Sequence, residues 1–325
     1  MMYLMNISNS LYDLEKFGGK WHHFEDFLKK HQLDGIELIL YEDQYLDEIN
    51  SNHLKGLHLR YFPTWLEFYN NDQEALNEIY EDSKAIEAYY GGLDPEILVD
   101  TFKKEYENAK KLNVEYMVFH VGHVTNEDAF TFNFDYSDTD VLDATVELVN
   151  KAFDHRSDIY LLFENLWWPG MNLLDQGKTK KFLDAIEYEK KGIILDLSHL
   201  MITNPNLKTP KEATKYILEI INNLGALKEY IKGIHLNMSL SGDYLKKDHQ
   251  KTYEKIKKMP SGFEKYQKII KHIKKIDQHL PYDDESIHEI IDLIKPEYIV
   301  YEFSANKYGL IDRYIHQQNE ILNRL

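Results

Sequence analysis

The sequence has 325 residues, and its 55 acidic side chains outnumber 38 basic ones to give a formal net charge of −17. An acidic chain without a long basic run argues against nucleic acid or an anionic membrane as a partner, because clustered cations bind both. There is no cysteine, so any metal ion must be held by histidine and carboxylate side chains. The start MMYLMNISNS lacks the features of a signal peptide and no apolar run approaches the roughly 20 residues of a membrane helix, which predicts a cytoplasmic protein.

Eight short apolar runs have the composition of buried strands. They are residues 3–7, 35–40, 56–59, 116–120, 159–164, 192–197, 233–237 and 298–303. Helical apolar spacing marks residues 22–33, 97–113, 140–153, 179–188, 210–224, 286–294 and 311–325. Strands that alternate with helices in this number predict a parallel (β/α)8 TIM barrel, as one domain over 1–325. A doubly wound open sheet is the alternative, but no glycine-rich phosphate-binding turn follows the first strand.

Two connections are longer than the others: residues 60–96 after the third strand and 238–283 after the seventh. Both follow the carboxyl ends of strands, where barrel enzymes build their sites, so we expect them to form lids or substrate walls. The first begins with the aromatic stretch RYFPTWLEFY. Its Trp65 is predicted to contact the substrate and not a metal ion.

Metal-ligating residue types end six consecutive predicted strands. In chain order they are His58, His120 with His123 just beyond, Glu164, Asp196 with His199 three residues later, His235 and Glu302. An ionised Glu164 at the end of IYLLFENLWWPG is costly to bury unless something neutralises it. The carboxyl ends of barrel strands converge, so these side chains can share an ion. One such histidine alone is more commonly a hydrogen-bonded core residue, whereas six strands ending this way without Lys or Arg predict a metal site.

Five motifs carry a resemblance to a known family: FHVGH (119–123), FEN (163–165), DLSH (196–199), IHLN (234–237) and YEF (301–303). The chain resembles the xylose isomerase-like TIM barrels, which include sugar isomerases, sugar 3-epimerases and phosphodiesterases of the endonuclease IV type. The resemblance implies a shared metal site of Glu164, Asp196, His235 and Glu302. In the epimerase branch Glu164 and Glu302 would also move a substrate proton, with His199 helping to bind the substrate.

The endonuclease branch implies three zinc ions, with further ligands at His58, His120, His199 and Asp248. The Asp-x-His pattern of that branch is matched here by Asp248-His249, which is one residue short. The stretches ENLWWPG and HLNMSLSG also resemble a subgroup that is connected to corrinoid remodelling.

Three functions follow as hypotheses. The first is an isomerase or epimerase of a sugar, sugar phosphate or related polyol, with manganese, magnesium or cobalt bound mainly by carboxylates. The second is a multi-zinc hydrolase of a phosphoester or amide in a small substrate that is not a nucleic acid, for which a corrinoid is one candidate. The third is a non-catalytic ligand-binding barrel. Substrate contacts are predicted at His58, Trp65, Trp167, Trp168 and Asn237, although packing under the barrel rim is the alternative for Trp167 and Trp168. A homo-oligomer is left open.

Overall fold

The computed structural model describes residues 1–41 and 49–324. Within these ranges eight parallel strands close into a barrel in chain order, and the last pairs with the first. The strands are β1 (Met2–Ser8), β2 (Gly35–Ile39), β3 (Leu54–His58), β4 (Tyr116–His120), β5 (Tyr160–Glu164), β6 (Lys191–Asp196), β7 (Ile231–Leu236) and β8 (Tyr298–Tyr301). The predicted (β/α)8 barrel is confirmed, and each predicted run overlaps one strand.

The barrel interior has an apolar layer with polar side chains above it. Leu4, Tyr116, Val118, Leu162, Ile194, Tyr298 and Val300 form the apolar layer. Alternate residues of a strand point to the same face. The residues two positions after Leu4, Val118, Leu162, Ile194 and Val300 are therefore also directed inward, and they are Asn6, His120, Glu164, Asp196 and Glu302. One alternation thus builds the floor of the barrel and, above it, a ring of polar groups.

Gly56 in β3 makes room inside the barrel for the ring of Tyr116. A Cβ atom at residue 56 would lie 2.3 Å from that ring, closer than van der Waals contact allows. The space lets the Tyr116 hydroxyl donate a hydrogen bond to Glu37 Oε2 at 2.9 Å. A buried carboxylate in the middle of β2 is thereby tied to β4.

Sixteen α-helices lie in the described ranges. They are α1 (Leu11–Glu15), α2 (Trp21–Lys30), α3 (Leu66–Tyr69), α4 (Gln73–Ile79), α5 (Ser83–Tyr90), α6 (Glu96–Leu112), α7 (Asn126–Thr131), α8 (Asp138–Ala152), α9 (Gln176–Ala185), α10 (Leu197–Ile202), α11 (Pro210–Asn223), α12 (Gly242–Leu245), α13 (Gln250–Lys257), α14 (Phe263–Ile276), α15 (Ile287–Ile294) and α16 (Tyr308–Ile321). Capping boxes begin α8 at Ser137 and α11 at Thr209, where each hydroxyl accepts from a free backbone N–H of the first turn. No helix of the described chain is long and apolar enough to cross a membrane.

The two long connections carry helices of their own. The β3 connection (residues 60–96) contains α3 to α5, and the β7 connection (residues 238–283) contains α12 to α14. A hydrogen bond from Ser261 Oγ to Glu81 Oε1, 2.5 Å long, joins the two connections. They therefore meet each other on the face of the barrel where the strands end.

Candidate metal centre

The described polar residues include four groups of potential metal ligands. One consists of Glu37, His58 and His235, and the other three lie at and beyond the strand ends. The first of these three contains His58, His120 and Glu164 from the ends of β3, β4 and β5, with ligand atoms within 4.8 Å of one another. Both imidazoles face one carboxylate oxygen, because His58 Nε2 lies 3.3 Å and His120 Nε2 lies 3.5 Å from Glu164 Oε2. Two imidazoles and a carboxylate are a donor set that suits zinc.

The second group contains Glu164, Asp196, His235 and Glu302. Nδ1 of His235 lies 3.0 Å from Glu302 Oε2, 3.5 Å from Glu164 Oε1 and 3.8 Å from Asp196 Oδ2. Three carboxylates around one imidazole nitrogen offer four donors to a single divalent ion.

The third group contains Asp196, His199 and His279, with Asp277 beside them. Asp277 Oδ2 lies 3.4 Å from His199 Nε2 and 2.8 Å from His279 Nε2. Asp277 and His279 follow α14 in the β7 connection, so this connection supplies potential ligands as well as covering the barrel.

The three groups share carboxylates and hold polar atoms that lack partners. Glu164 belongs to the first and second groups and Asp196 to the second and third. Among the described residues, several buried atoms of these groups make no hydrogen bond of acceptable geometry, although some lie 2.8–3.5 Å from an opposite partner. They are His120 Nδ1, both Glu164 carboxylate oxygens, His235 Nδ1, His279 Nε2 and Glu302 Oε2. Leaving so many buried polar atoms unpaired is costly. Divalent ions would satisfy carboxylate oxygens and imidazole nitrogens together, so the residues present fit metal ions.

Mutual attraction perturbs the acid–base properties of the cluster. Burial alone would lower the pKa of His58, but its contact with the Glu164 carboxylate and the charge of Glu37 raise it to about 9. Burial opposes ionisation of Glu302, yet the positive charge of His235 outweighs it and lowers the pKa of Glu302 to about 2. Burial lowers the pKa of His120 to about 3 and raises that of Asp196 to about 6. Closely spaced groups with pKa values displaced in both directions are typical of functional sites.

Residues behind the three groups hold the potential ligands in place. Glu37 Oε1 lies 3.1 Å from His235 Nε2, which favours a proton on that nitrogen and leaves Nδ1 directed at the carboxylates. The Asn237 amide donates to Asp196 Oδ2 at 2.7 Å and its oxygen accepts from Ser198 N at 2.9 Å. The Asn165 side chain bonds the backbone N–H and C=O of Asp196. Asn237, predicted to bind substrate, therefore orients Asp196.

The comparisons with known proteins agree with this architecture. The model of the xylose isomerase-like TIM barrel family matches residues 26–298. The chain belongs to that family. No curated protein matches it.

Solved structures of several enzymes share the fold at low sequence identity. Endonuclease IV from Thermus thermophilus is 12% identical, with a TM-score of 0.53 and coverage of 100% of both chains. L-ribulose 3-epimerase is 9% identical, with a TM-score of 0.51 and coverage of 99% of this chain and 94% of that one. The probable 3-DHS dehydratase AsbF from Bacillus anthracis is 10% identical, with a TM-score of 0.50 and coverage of 98% of both chains. At such identities these similarities establish the fold of this family member and no particular reaction.

Asp248 and His249, the potential third-ion ligands named from sequence, lie away from the three groups. Asp248 Oδ1 accepts a hydrogen bond from Gln250 N as α13 begins. His249 is buried against the rings of Tyr244 and His272, and its Nε2 contacts Tyr244 O at 2.9 Å. Both side chains make local contacts where the chain continues into α13, and neither belongs to a ligand group among the described residues, so their role as ligands stays a prediction.

Three potential ligands were absent from the sequence-based set. Asp277-Gln278-His279 has the Asp-x-His spacing that Asp248-His249 lacks, so a search for the full pattern along the β7 connection finds it. Glu37 gives a different signal, since it is a carboxylate in the middle of the apolar run GIELIL and is completely buried. Burying it requires a partner, as the same reasoning required for Glu164.

The tryptophans predicted to contact substrate have different surroundings. Trp65 is 6% exposed, and its indole Nε1 donates to Gly122 O at 3.1 Å. It borders a pocket of only about 20 Å³, room for about one water molecule. Trp168 is buried against Phe132, so packing under the rim describes it and Trp65. Trp167 is half-buried, and its ring centroid lies 4.9 Å from that of His199.

Two larger cavities open beside the cluster. One, of about 420 Å³, is bordered by His58, His120 and Glu302. The other, of about 580 Å³, is bordered by His120, His199, Asp277, His279 and Glu302 on its inner side and by both connections on its outer side. Their sizes are in the range of small-molecule sites. His123, in contrast, pairs with Glu67 at 3.2 Å and supports the β3 connection.

Proposed function

We propose that this chain is a hydrolase that uses up to three divalent metal ions, zinc foremost, to cleave a phosphoester or amide in a small-molecule substrate. One observation carries the proposal: Glu164 and Asp196 are each shared between neighbouring ligand groups, so the donors are arranged for several adjacent ions. Zinc is favoured because His58, His120, His199, His235 and His279 contribute nitrogen donors. The ions, when bound, would lower the pKa of a water molecule and polarise the bond to be cleaved.

The chain's own residues would hold this arrangement and orient the substrate. Glu164, which belongs to two ligand groups, would help to hold the ions, and Glu37 would keep His235 in the tautomer that presents Nδ1. Asn165 and Asn237 would fix Asp196, which is bonded on both oxygens and is therefore already oriented. A prepared site of this kind needs little rearrangement during the reaction.

The isomerase that the sequence placed first is supported less well by the geometry. A glutamate that moves a substrate proton needs an oxygen turned towards the substrate. In Glu164, Oε2 faces His58 and Oε1 faces His199 at 3.2 Å and His235 at 3.5 Å. Glu164 is thus surrounded by imidazoles on both oxygens, which favours a ligand over a proton carrier. The isomerase and non-catalytic functions stay predictions.

Metal content and hydrolysis test the proposal together. Protein purified without chelator should contain two to three zinc ions per chain by elemental analysis and should hydrolyse methyl 4-nitrophenyl phosphate or an aryl amide. Asp277→Asn should lose about one equivalent, because Asp277 lies between two imidazoles of the third group. The matched control Asp248→Asn should keep full occupancy. One ion per chain, unchanged in Asp277→Asn, would contradict the proposal and return the isomerase to first place.

The nature of the substrate also stays a prediction. The net charge of −17 disfavours nucleic acid, since neutralising phosphates requires clustered cations. The corrinoid candidate is tested by incubating corrinoids with zinc-loaded protein and measuring the products by mass spectrometry. An unchanged corrinoid mass would remove this candidate and leave the proposed reaction class to the other substrates.

A further inference from the structure

The larger cavity beside the cluster, about 580 Å³, is chemically unlike the metal site that it adjoins. We call it the aromatic cavity, and its wall includes Tyr80, Tyr89, Trp167, Tyr266, Ile270 and Ile273. Apart from the potential ligands, the charged side chains along its described border are Glu81 and Lys265. A phosphate backbone or a charged chain would need several cations along such a wall. The lining instead suits an uncharged, flat, apolar group.

Trp167 is held as a fixed surface in this cavity. Its ring centroid lies 4.4 Å from that of Trp168, which is buried and packs in turn against Phe132. The other side of the cavity comes from the β7 connection, which includes α14, and from the β3 connection. The hydrogen bond between Ser261 and Glu81 joins the two connections. Because these aromatic side chains are already fixed, they lose little conformational entropy when a ring packs between them.

The cavity also borders two buried donors that have no partner. The Tyr61 hydroxyl and Trp167 Nε1 are inaccessible to solvent and make no hydrogen bond with the described residues. The Tyr61 ring stacks on His120 at 4.3 Å, so this donor lies next to the first ligand group. Because solvent does not reach either donor from the cavity, neither one selects the group that occupies it, and the lining apolar and aromatic surface carries the preference.

The mouth of the cavity is apolar at the surface. Tyr89 is 39% exposed and Tyr266 is 59% exposed, and they belong to the β3 and β7 connections respectively. Exposed aromatic residues at the rim of a concave site commonly mark a binding surface. The rim and the interior therefore have the same chemical preference.

We propose that the substrate carries an uncharged aromatic ring system that fills the aromatic cavity, while its phosphoester or amide lies on the inner side beside the ligand groups. The proposal rests on the proposed hydrolase function for the position of the cleaved bond. The ring preference itself depends only on the cavity, so the two can fail separately.

Two phosphonates that share one head group test the ring preference. Binding of (1-naphthylmethyl)phosphonate and methylphosphonate to zinc-loaded protein is measured by calorimetry, since their carbon–phosphorus bonds are not hydrolysed. The naphthyl compound should bind at least tenfold more tightly. Trp167→Ala and Tyr266→Ala should each reduce this ratio at least fivefold. The matched control is Tyr12→Ala, which changes a 62% exposed tyrosine in α1 that does not border the aromatic cavity. This variant should leave the ratio unchanged.

A neutral probe separates the cavity from the metals. Naphthalene-1-methanol should quench tryptophan fluorescence saturably in both metal-free and zinc-loaded protein, and Tyr266→Ala should weaken this binding. Equal affinities for the two phosphonates, or a naphthyl preference that survives both cavity variants, would overturn the proposal. Absence of saturable quenching by the neutral probe would overturn it as well. Failure of the hydrolase alone would appear as lost methylphosphonate binding and lost hydrolysis with the ring preference intact.

Discussion

Glu37 shows how much of the candidate centre depends on residues behind the ligands. It receives hydrogen bonds from Asn6 at 2.8 Å and Tyr116 at 2.9 Å and faces His235 Nε2. A carboxylate that holds the far nitrogen of a ligating imidazole fixes the tautomer and raises the basicity of the ligand. We predict that Glu37→Gln keeps the fold but lowers zinc affinity about 10- to 100-fold, measured by competition with a chromophoric chelator.

Glu67→Gln is the matched control for this variant. Glu67 contacts His123 Nε2 at 3.2 Å in a buried carboxylate–imidazole pair like that of Glu37 and His235, but outside the three ligand groups. The zinc affinity of the Glu67→Gln protein should match that of the unaltered protein. Equal affinity in both variants would remove Glu37 from the support of the metal centre.

Glu105 gives a pH prediction that does not involve the potential ligands directly. Burial raises the pKa of Glu105 to about 7, although its carboxylate accepts a hydrogen bond from Arg60 N at 2.9 Å. In the unfolded chain Glu105 ionises near pH 4.5, whereas in the folded protein it stays protonated up to about pH 7. Its burial therefore lowers the free energy of unfolding progressively as the pH rises from about 4.5 to 7. Glu105→Gln should therefore raise the free energy of unfolding at pH 8 by up to about 3 kcal/mol and change it little at pH 4.5.

Denaturant unfolding at the two pH values checks this prediction. Glu107→Gln, an exposed position in the same helix α6, serves as the control and should show no such pH dependence. A Glu105→Gln protein whose stability gain is the same at both pH values would show that ionisation of Glu105 is not the cause.

At the scale of the elements, the β3 connection begins as a packed part of the fold. Trp65 is buried and bonded to Gly122 O, which ties the connection to the segment after β4. Trp65→Ala should lower the free energy of unfolding by about 3–5 kcal/mol through the cavity it leaves, measured by denaturant titration. Trp65→Phe should cost much less. A Trp65→Ala protein of normal stability with weakened ligand binding would instead support the substrate contact predicted from sequence.

Strands were easier to predict than the connections for a physical reason. A parallel strand buried on both faces needs a nearly continuous apolar run, and a polar residue at its end, such as Glu164 or Asp196, is conspicuous. Connections have no such apolar pattern. The sequence alone therefore could not place the distant Asp277 and His279 next to His199. The exposure of an aromatic residue such as Trp65 likewise depends on what packs over it. Potential ligands at the carboxyl ends of strands were therefore predicted, whereas Glu37 within β2 and those on the β7 connection were not.

At the scale of the whole molecule, the cluster links metal content to stability. The metal-free protein carries buried carboxylates and imidazoles whose unpaired atoms are costly. Zinc bound only by the folded state adds about 2.7 kcal/mol when its concentration is 100 times its Kd. Chelator treatment should thus lower the melting temperature by about 5 °C or more, measured by calorimetry and reversed by zinc. An unchanged melting temperature in Asp277→Asn and in the unaltered protein after chelation would contradict this linkage.

The apolar layer inside the barrel also determines from which end metal ions and substrate can reach the ligand groups. Leu4, Val118, Leu162, Ile194 and Val300 fill the barrel below the polar ring, and a packed layer of this kind is not a pore. Among the described residues, the cluster is then reached from the end of the barrel where the strands end, through the two cavities beside it. A ligand bound in the aromatic cavity should then slow both the entry and the escape of ions. The rate at which a chelator strips zinc would consequently report on occupancy of the mouth, even for a ligand that the protein never cleaves.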